Sequence, residues 1–217
     1  MPKKLNATHE RDAQATQQKI LSAAEAVFAE KGFDGARVDE IARIAGVNKA
    51  MLYYYFQSKE QLLRALTEKH FKEMSQEKQL FIETLSSDEP ALAERMSQHM
   101  LEMFVKRRSF LRIIAIEALK NNDFTRDLFR IIDSTLPHLN SLAEKAKMNS
   151  EMLARLKTNI FFFGFAPVLL YLTVGEQWAK YSGMDEQTFR QSFIDDFRDS
   201  HISSLKEQFN LELPNQP

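Results

Sequence analysis

The sequence predicts an all-α protein, and three observations support this prediction. Only 6 Gly and 6 Pro interrupt the 217 residues. Apolar residues recur every three or four positions through most of the chain, which is the spacing of one helix face. No stretch alternates apolar and polar residues as a half-buried strand does. We therefore expect long helices with interiors filled by many of the 17 Phe and 9 Met side chains.

The composition limits the partners that the chain can bind. Its 29 basic and 30 acidic side chains give a net charge of −1, so contact with nucleic acid must use a local surface. The chain has no cysteine, which excludes disulfides, thiolate metal sites and a cysteine nucleophile. Residues 1–11 are polar and predict no secretory signal. We therefore expect a cytoplasmic protein that binds no membrane.

Four helices are predicted in the N-terminal region, over residues of about 13–31, 38–45, 49–56 and 59–85. The first carries an apolar stripe from Ile20 to Phe28 and ends at Gly32, a residue suited to the left-handed cap conformation. Asn48 is a good N-cap for the third helix, and Ser58 with Gln61 forms a capping box that opens the fourth. These signals place two short helices between two long ones.

The remainder of the chain is predicted to be helical, over residues of about 90–106, 109–119, 124–147, 151–174 and 185–209. Pro137 and Pro167 fall inside two of these segments and should kink or shorten them. The most apolar run, residues 160–174, is shorter than the ~20 residues that cross a bilayer, so we expect a wholly buried helix there. The expected domains are residues 1–60 and 61–217.

Residues 37–56 have the spacing of a helix-turn-helix. Ala42 lies where two helices cross closely and only a small side chain fits, and Gly46 can adopt the turn conformation that other residues resist. Val47 and Leu52 would fill the space between the two helices. In this motif the second helix enters the major groove of DNA, so residues 49–56 are the predicted recognition helix.

Three consecutive tyrosines, Tyr53, Tyr54 and Tyr55, mark this helix. Successive positions turn by ~100°, so all three cannot be buried. In one interpretation the exposed phenols, with Lys49 and Lys59 beside them, bind phosphate oxygens, and free N–H groups at the start of the next helix add to the site. In the other, the tyrosines cover the core with their hydroxyls in water. The whole cluster favours DNA binding.

Residues 16–60 closely resemble the DNA-binding region of the TetR (tetracycline-repressor) family of bacterial regulators. The matching stretches are Ile20-Leu21-Ser22-Ala23-Ala24, Phe28-Ala29-Glu30-Lys31-Gly32-Phe33, Val38-Asp39-Glu40-Ile41-Ala42, Ala45-Gly46-Val47 and Leu52-Tyr53-Tyr54-Tyr55-Phe56-Gln57-Ser58-Lys59-Glu60. The match covers about a fifth of the chain, and the number of its spaced motifs makes it specific.

The resemblance implies particular contacts with DNA. Position by position, base or groove contacts fall to Lys49, Ala50 and Tyr54, and phosphate contacts to Tyr53, Tyr55 and Lys59. The residue before Val38 is usually Ser or Thr and here is Arg37, so the usual cap is missing and Arg37 is free to reach a phosphate. Arg43, on the solvent side of the second helix, is either a phosphate contact or a solvated charge.

The resemblance also implies an architecture and a function. It implies an N-terminal three-helix DNA-binding domain with a helix-turn-helix, followed by a C-terminal helical ligand-binding and dimerisation domain. Family members are homodimers that bind palindromic double-stranded operators and release them when a small ligand enters. We therefore expect a ligand-responsive transcriptional repressor, not an enzyme, with no cofactor. The alternative is a helical small-molecule-binding protein or enzyme without a DNA-binding role, which a C-terminal catalytic constellation would indicate.

One catalytic pattern is present in the C-terminal part. Residues 195–199, Asp-Asp-Phe-Arg-Asp, match the DDxxD sequence with which all-helical prenyl-diphosphate enzymes hold Mg²⁺. A solvated acidic face is the simpler interpretation, because a second acidic motif is missing. The five histidines have no metal-ligand spacing, and the sequence has no GxSxG, P-loop or GxGxxG motif. We expect no metal site.

Methionines and aromatic residues cluster in the C-terminal part. Each alone is more typical of a core than of a pocket. Together they describe an interior that can repack around a small apolar or aromatic effector. The candidate effector residues are Met100, Met103, Phe104, Phe161, Phe162, Phe165, Tyr171 and Trp178.

A homodimer is predicted from the amount of apolar surface. Two segments carry more apolar surface than one helical layer covers: residues 160–174, and the stripe formed by Phe189, Phe193, Phe197, Ile202 and Leu205. Two such helices from each of two chains would form a four-helix interface.

Overall fold

A computed structural model describes residues 3–84, 92–120, 123–135 and 147–202. Every regular element in these ranges is helical, which confirms the all-α prediction. The helices are α1 (Lys3–Gly35), α2 (Val38–Ala45), α3 (Lys49–Phe56), α4 (Lys59–Ile82), α5 (Leu92–Lys106), α6 (Arg108–Leu119), α7 (Phe124–Thr135), α8 (Ser150–Asn159), α9 (Ala166–Ser182) and α10 (Glu186–Phe197). The predicted helical residues 136–146 and 203–209, with Pro137, lie outside the described ranges.

The first helix is longer than predicted at both ends. It begins at Lys3 rather than near Ala13, and it continues past Gly32 to Gly35. Gly32 has φ 71° and ψ 168°, so it kinks the helix rather than ending it. Because residues 3–12 are polar, they carry no apolar stripe from which the early start of this helix could be predicted.

The most apolar part of the chain forms one unbroken helical rod. α8 leads into a π-helical turn, Ile160–Phe165, which leads into α9. The break predicted at Gly175 is wrong: α9 continues to Ser182 and ends at Gly183, whose φ of 71° gives a left-handed cap. Gly175 instead allows a close approach, because a Cβ there would lie 2.9 Å from Cε1 of Phe189. Pro167 falls in the first turn of α9, directly after the π turn.

This rod differs from the expected wholly buried helix. Residues 150–182 form a helix of 33 residues that is long and apolar enough to cross a membrane, with a mean hydropathy of 1.6 over its most apolar window. Only 28% of that window is buried within the single chain. The exposed large apolar side chains of the rod are Met152, Phe162, Phe163, Leu170, Val174, Trp178 and Tyr181. An apolar face of the rod therefore remains uncovered in one chain.

One continuous hydrophobic core joins the N-terminal helices to the rest of the chain. Its completely enclosed members come from α1, α2, α3, α4, α5 and α6, and include Phe28, Ile41, Leu52, Leu62, Leu63, Leu66, Phe104, Phe110 and Ile114. α4 packs on α1 and α7, and its Phe71 ring contacts that of Phe110 in α6, so α4 joins the N-terminal helices to the later ones. A core of this kind fixes the orientation of α2 and α3 relative to α4.

Two lysines hold the corner between α1 and α2, residues 33–36. The Nζ of Lys59, at the start of α4, donates to the carbonyl oxygen of Phe33 at 2.7 Å and to those of Asp34 and Ala36 at 3.3 Å. The Nζ of Lys120, at the end of α6, lies 2.7 Å from Oδ2 of Asp34. This corner is therefore tied to α4 through its backbone and to α6 through a side chain.

Candidate nucleic-acid interface

The turn between α2 and α3 has the geometry that the sequence predicts. Gly46 is left-handed, with φ 69° and ψ 30°, and caps α2. The N–H of Val47 donates to the carbonyl oxygen of Ala42 at 3.0 Å, which closes the turn. Oδ1 of Asn48 accepts the N–H of Met51 at 2.7 Å and so starts α3. Leu52 is fully buried beneath the turn. The predicted bounds of both helices are confirmed.

The outward face of α3 is aromatic and apolar. Leu52 and Phe56 point into the core, and helical spacing places Ala50, Met51 and Tyr54 on the opposite side. Tyr54 is 81% exposed and stands at the centre of that side. An exposure of this size rules out a core-covering role for Tyr54 in the single chain.

The two neighbouring tyrosines flank this outward face. Tyr53 is 40% exposed, whereas Tyr55 is half-buried and packs against the core. The ring of Tyr55 lies 5.2 Å from that of Tyr54, in an edge-to-face arrangement, and 6.4 Å from that of Phe56. Tyr55 therefore covers the core with part of its ring, as one of the two interpretations of the tyrosines expected.

Lys49 forms an ion pair beside this face. Its Nζ lies 2.9 Å from Oδ1 and 3.1 Å from Oδ2 of Asp39, which belongs to the first turn of α2. The hydrogen bond and the charge of Asp39 raise the pKa of Lys49 above its usual value. Lys49 therefore stays cationic, and to reach DNA its ammonium must leave this carboxylate.

The two arginines of the predicted site are exposed on α2 and at its start. Arg37 occupies the N-cap position without a side-chain cap hydrogen bond, so the missing cap noted in the sequence is confirmed. Neither Arg37 nor Arg43 forms an ion pair or hydrogen bond through its side chain to any described residue. Both guanidinium groups are therefore available to an anion. The nearby Glu40 is paired with Lys31 at 2.6 Å, which lowers the pKa of Glu40.

Lys59 is placed differently from the other predicted phosphate contacts. Its three donors point to the three backbone carbonyls of the α1–α2 corner, and its ammonium also lies 4.5 Å from the centre of the Phe33 ring. In the free protein its hydrogen-bonding capacity is already used within the fold.

Sequence reasoning missed one residue of this face. Met51 is 41% exposed and lies next to Ala50 and Tyr54. The helical period alone would have found it, because residues three apart share a face and Tyr54 was already assigned outward. The family resemblance assigns no DNA contact to Met51.

The candidate effector residues fall into two groups. Met103, Phe104 and Phe165 are buried, and the rings of Phe104 and Phe165 are 5.6 Å apart. Met100 and Phe161 are half-buried against the same core. Phe162 and Trp178 are instead exposed, on the rod.

Tyr171 is half-buried against the same core, on the side that faces α10. Its ring stacks on Phe193 at 4.3 Å, and burial raises the pKa of its phenol. It borders a small cavity of about 90 Å³ whose other walls include Arg108 and Phe189. The ring of Phe161 lies 4.7 Å from that of Phe162 and 6.4 Å from that of Phe165, so the structure connects most of the predicted residues, whereas Trp178 lies on the exposed face of the rod.

The acidic run on α10 carries its own counter-charge. Arg198 lies 3.1 Å from Oδ1 of Asp195 and 3.0 Å from Oδ1 of Asp199. Within the described part of the chain, no group of three or more His, Asp or Glu side chains is placed to hold a metal ion.

The two short helices, their tight turn and the exposed face of α3 have the geometry of a helix-turn-helix DNA-binding domain. Residues 20–66 match the family model described as bacterial regulatory proteins, tetR family. The HTH-type transcriptional repressor NicS of Pseudomonas putida is 35% identical over 107 residues, which is 49% of this chain and 50% of NicS. The HTH-type transcriptional regulator RutR of Escherichia coli is 48% identical over 56 residues, 26% of each chain. The chain thus matches half or less of the length of these relatives.

Solved structures extend the likeness to the C-terminal helices. A tetR-family transcriptional regulator from Streptomyces coelicolor aligns with a TM-score of 0.61 at 14% identity, over 92% of this chain and 87% of that one. The regulator FadR from Bacillus subtilis, in complex with stearoyl-CoA, aligns with a TM-score of 0.59 at 18% identity, over 83% and 96%. At these identities the likeness establishes the fold. Residues 20–66 therefore resemble the DNA-binding region of tetR-family bacterial regulators, and the relatives named above are transcriptional regulators.

Proposed function

We propose that the chain is a cytoplasmic, ligand-responsive repressor that binds a palindromic operator as a homodimer. Residues 1–60 are the DNA-binding domain, and residues 61–217 sense the ligand and form the dimer. The observation that carries this proposal is the outward face of α3, where Tyr54 is 81% exposed between two flanks of polar side chains. An aromatic surface of this kind on a recognition helix suits the major groove better than water.

The proposed contacts divide by chemistry. Lys49 and Ala50 lie in the first turn of α3 and Tyr54 stands on its outward side, and all three would meet base edges, since this part of the motif enters the groove. The surrounding hydroxyls and cations would meet phosphates. These phosphate contacts are Tyr53, Tyr55, Arg37 and Arg43. Lys59, which the resemblance also assigns to phosphate, is instead proposed to hold the corner between α1 and α2, because its ammonium is bound to three backbone carbonyls there.

The DNA proposal is tested by selecting genomic fragments that the purified protein retains and titrating them in gel shifts. Lys49→Ala should lower the affinity for the operator and relax the base preference. Tyr53→Phe should lower the affinity for all DNA sequences alike. Lys157→Ala is the matched control, because Lys157 is an exposed lysine of α8 far along the chain from the motif. The absence of any specific complex at moderate salt would overturn the proposal.

The proposed dimer uses the exposed face of the rod. Phe163, Leu170, Val174, Trp178 and Tyr181 are separated by seven, four, four and three residues, so they form one stripe. The rings of Phe189 and Phe193 pack on Tyr171 within the chain, but no residue of α10 is buried, so the predicted stripe of this helix remains part of the proposed interface. A second copy of the stripe supplies the cover that the single chain lacks.

A charged side chain in this stripe should separate the protomers. Leu170→Glu should produce a monomer in sedimentation at micromolar concentration, where the unmodified protein is a dimer. Leu119→Glu is the matched control, because Leu119 is 87% exposed on α6, outside the rod. A monomeric unmodified protein, or a dimer that survives Leu170→Glu, would contradict the proposed interface.

The proposed effector is small and apolar or aromatic, because Met100, Met103, Phe104, Phe161 and Phe165 form a soft interior. α4 connects this region to the recognition helix, and its 24 residues span ~36 Å. A small tilt of α4 would change the separation of the two recognition helices and prevent them from docking together.

Ligand and DNA should therefore oppose each other's binding, with a coupling of ~1–3 kcal/mol. Hydrophobic compounds are screened by thermal shift, and the operator titration is repeated with each hit. If every class of hit raises the melting temperature but leaves operator affinity unchanged, the proposed ligand response is refuted, whereas the proposed DNA binding is not affected.

A further inference from the structure

Met51 is an exposed apolar side chain on the outward face of α3. It lies in the first turn of the recognition helix, on the outward side, and is 41% exposed. Its backbone N–H is fixed by Oδ1 of Asn48 at 2.7 Å, so the position of the residue is set by the helix start. Lys49, the nearest cation in sequence, is drawn towards Asp39.

The chemistry of a thioether limits what Met51 can bind. A methionine has no donor and is only a weak acceptor, so it adds nothing to phosphate binding. In the major groove the one apolar group on a base edge is the 5-methyl group of thymine. A flexible and polarisable side chain packs well against such a methyl group.

We propose that Met51 determines specificity by packing against a thymine 5-methyl group in each half-site. This inference rests on the proposed DNA binding and deepens it, because it names the base group that the residue recognises. Ala50 beside it is too short to reach as far, so Met51 is the apolar side chain of this face with the longest reach. The operator should therefore carry a thymine opposite the start of α3.

The test is uracil substitution, which removes the methyl group and leaves every hydrogen-bonding group of the base in place. On the operator selected with the unmodified protein, each thymine is replaced by deoxyuridine in turn, and affinity is measured by gel shift. One or two positions per half-site should lose affinity about fourfold, and replacement in both half-sites about tenfold or more. For Met51→Ala the same positions should show no loss, and for Met51→Leu the loss should return.

The matched control is Ile44→Ala. Ile44 is also apolar and is 49% exposed, but it lies on α2, which crosses the backbone rather than entering the groove. The uracil pattern of Ile44→Ala should equal that of the unmodified protein. Thermal unfolding of each variant confirms that it is folded.

The outcomes separate this inference from the proposal beneath it. If the protein binds its operator but no uracil effect depends on Met51, the inference is overturned and DNA binding stands. If no specific complex forms with any fragment, the proposed function fails first. A uracil effect that persists in Met51→Ala assigns the methyl contact to another residue and also overturns the inference.

Discussion

Replacing Lys59 by methionine should destabilise the protein without removing a phosphate contact. Met keeps the length of the side chain and deletes its three donors. The 2.7 Å bond to the carbonyl of Phe33 is a hydrogen bond from a charged group, worth ~1.5–3 kcal/mol. The 4.5 Å approach to the Phe33 ring adds ~0.5 kcal/mol, and the two 3.3 Å bonds add little. We expect a loss of about 2 kcal/mol in the free energy of unfolding.

Two measurements check this expectation for Lys59→Met. A loss of about 2 kcal/mol corresponds to a fall of roughly 4–8 °C in melting temperature for a chain of this size. If Lys59 bound a phosphate in each half-site, the slope of log affinity against log salt would fall by about two for the dimer. We expect the melting temperature to fall and the salt slope to stay within one unit of its original value. An unchanged melting temperature with a slope reduced by two would refute the reasoning.

Three further predictions follow from other parts of the fold. Glu77→Gln should lower the free energy of unfolding by about 3 kcal/mol in urea titrations, because it removes the negative charge that lies 2.6 Å from the buried guanidinium of Arg107. Gly46→Ala should cost about 1 kcal/mol by the same measurement, although space is open around it, because φ is 69° there. Burial raises the pKa of Glu25, but the hydrogen bond and charge of His70 outweigh this effect and lower the pKa below 4.5. The stability that this pair contributes is therefore present above pH ~4.5 and lost as the pH falls further. In Glu25→Gln the free energy of unfolding should depend less on pH between pH 5 and 3 than in the unmodified protein.

The parts of the fold that short-range signals determine were predictable. α2 and α3 have the predicted bounds because Gly46 ends one helix and Asn48 starts the other, and both signals act within a few residues. The helical period shows only that Tyr53, Tyr54 and Tyr55 cannot all be buried, and the resemblance assigns Tyr54 to the groove. Local capping therefore predicts the helices of the candidate DNA surface, and the resemblance predicts the side chains.

Features that depend on distant partners were not predictable. A glycine such as Gly175 suits either a helix end or a close helix contact, and only the position of Phe189 decides between them. The period of α10 showed that Phe189 and Phe193 share a face, but not that Tyr171 covers that face. Lys59 follows the recognition helix and was therefore predicted to bind phosphate. The backbone carbonyls that bind it lie 23 to 26 residues away in sequence, so no local pattern indicates them.

The attachment of Lys120 to Asp34 has a mechanical consequence. The same ammonium also lies 2.7 Å from Oε1 of the buried Glu117, so it is anchored to α6 and cannot follow the corner freely. These contacts raise the pKa of Lys120 and lower that of Asp34, so both stay charged. Sliding of α6 along its axis would therefore lengthen or break the ion pair that joins it to Asp34, at the end of α1. A small displacement of α6 would reach the corner between α1 and α2 through this ion pair, whereas a large one would break it.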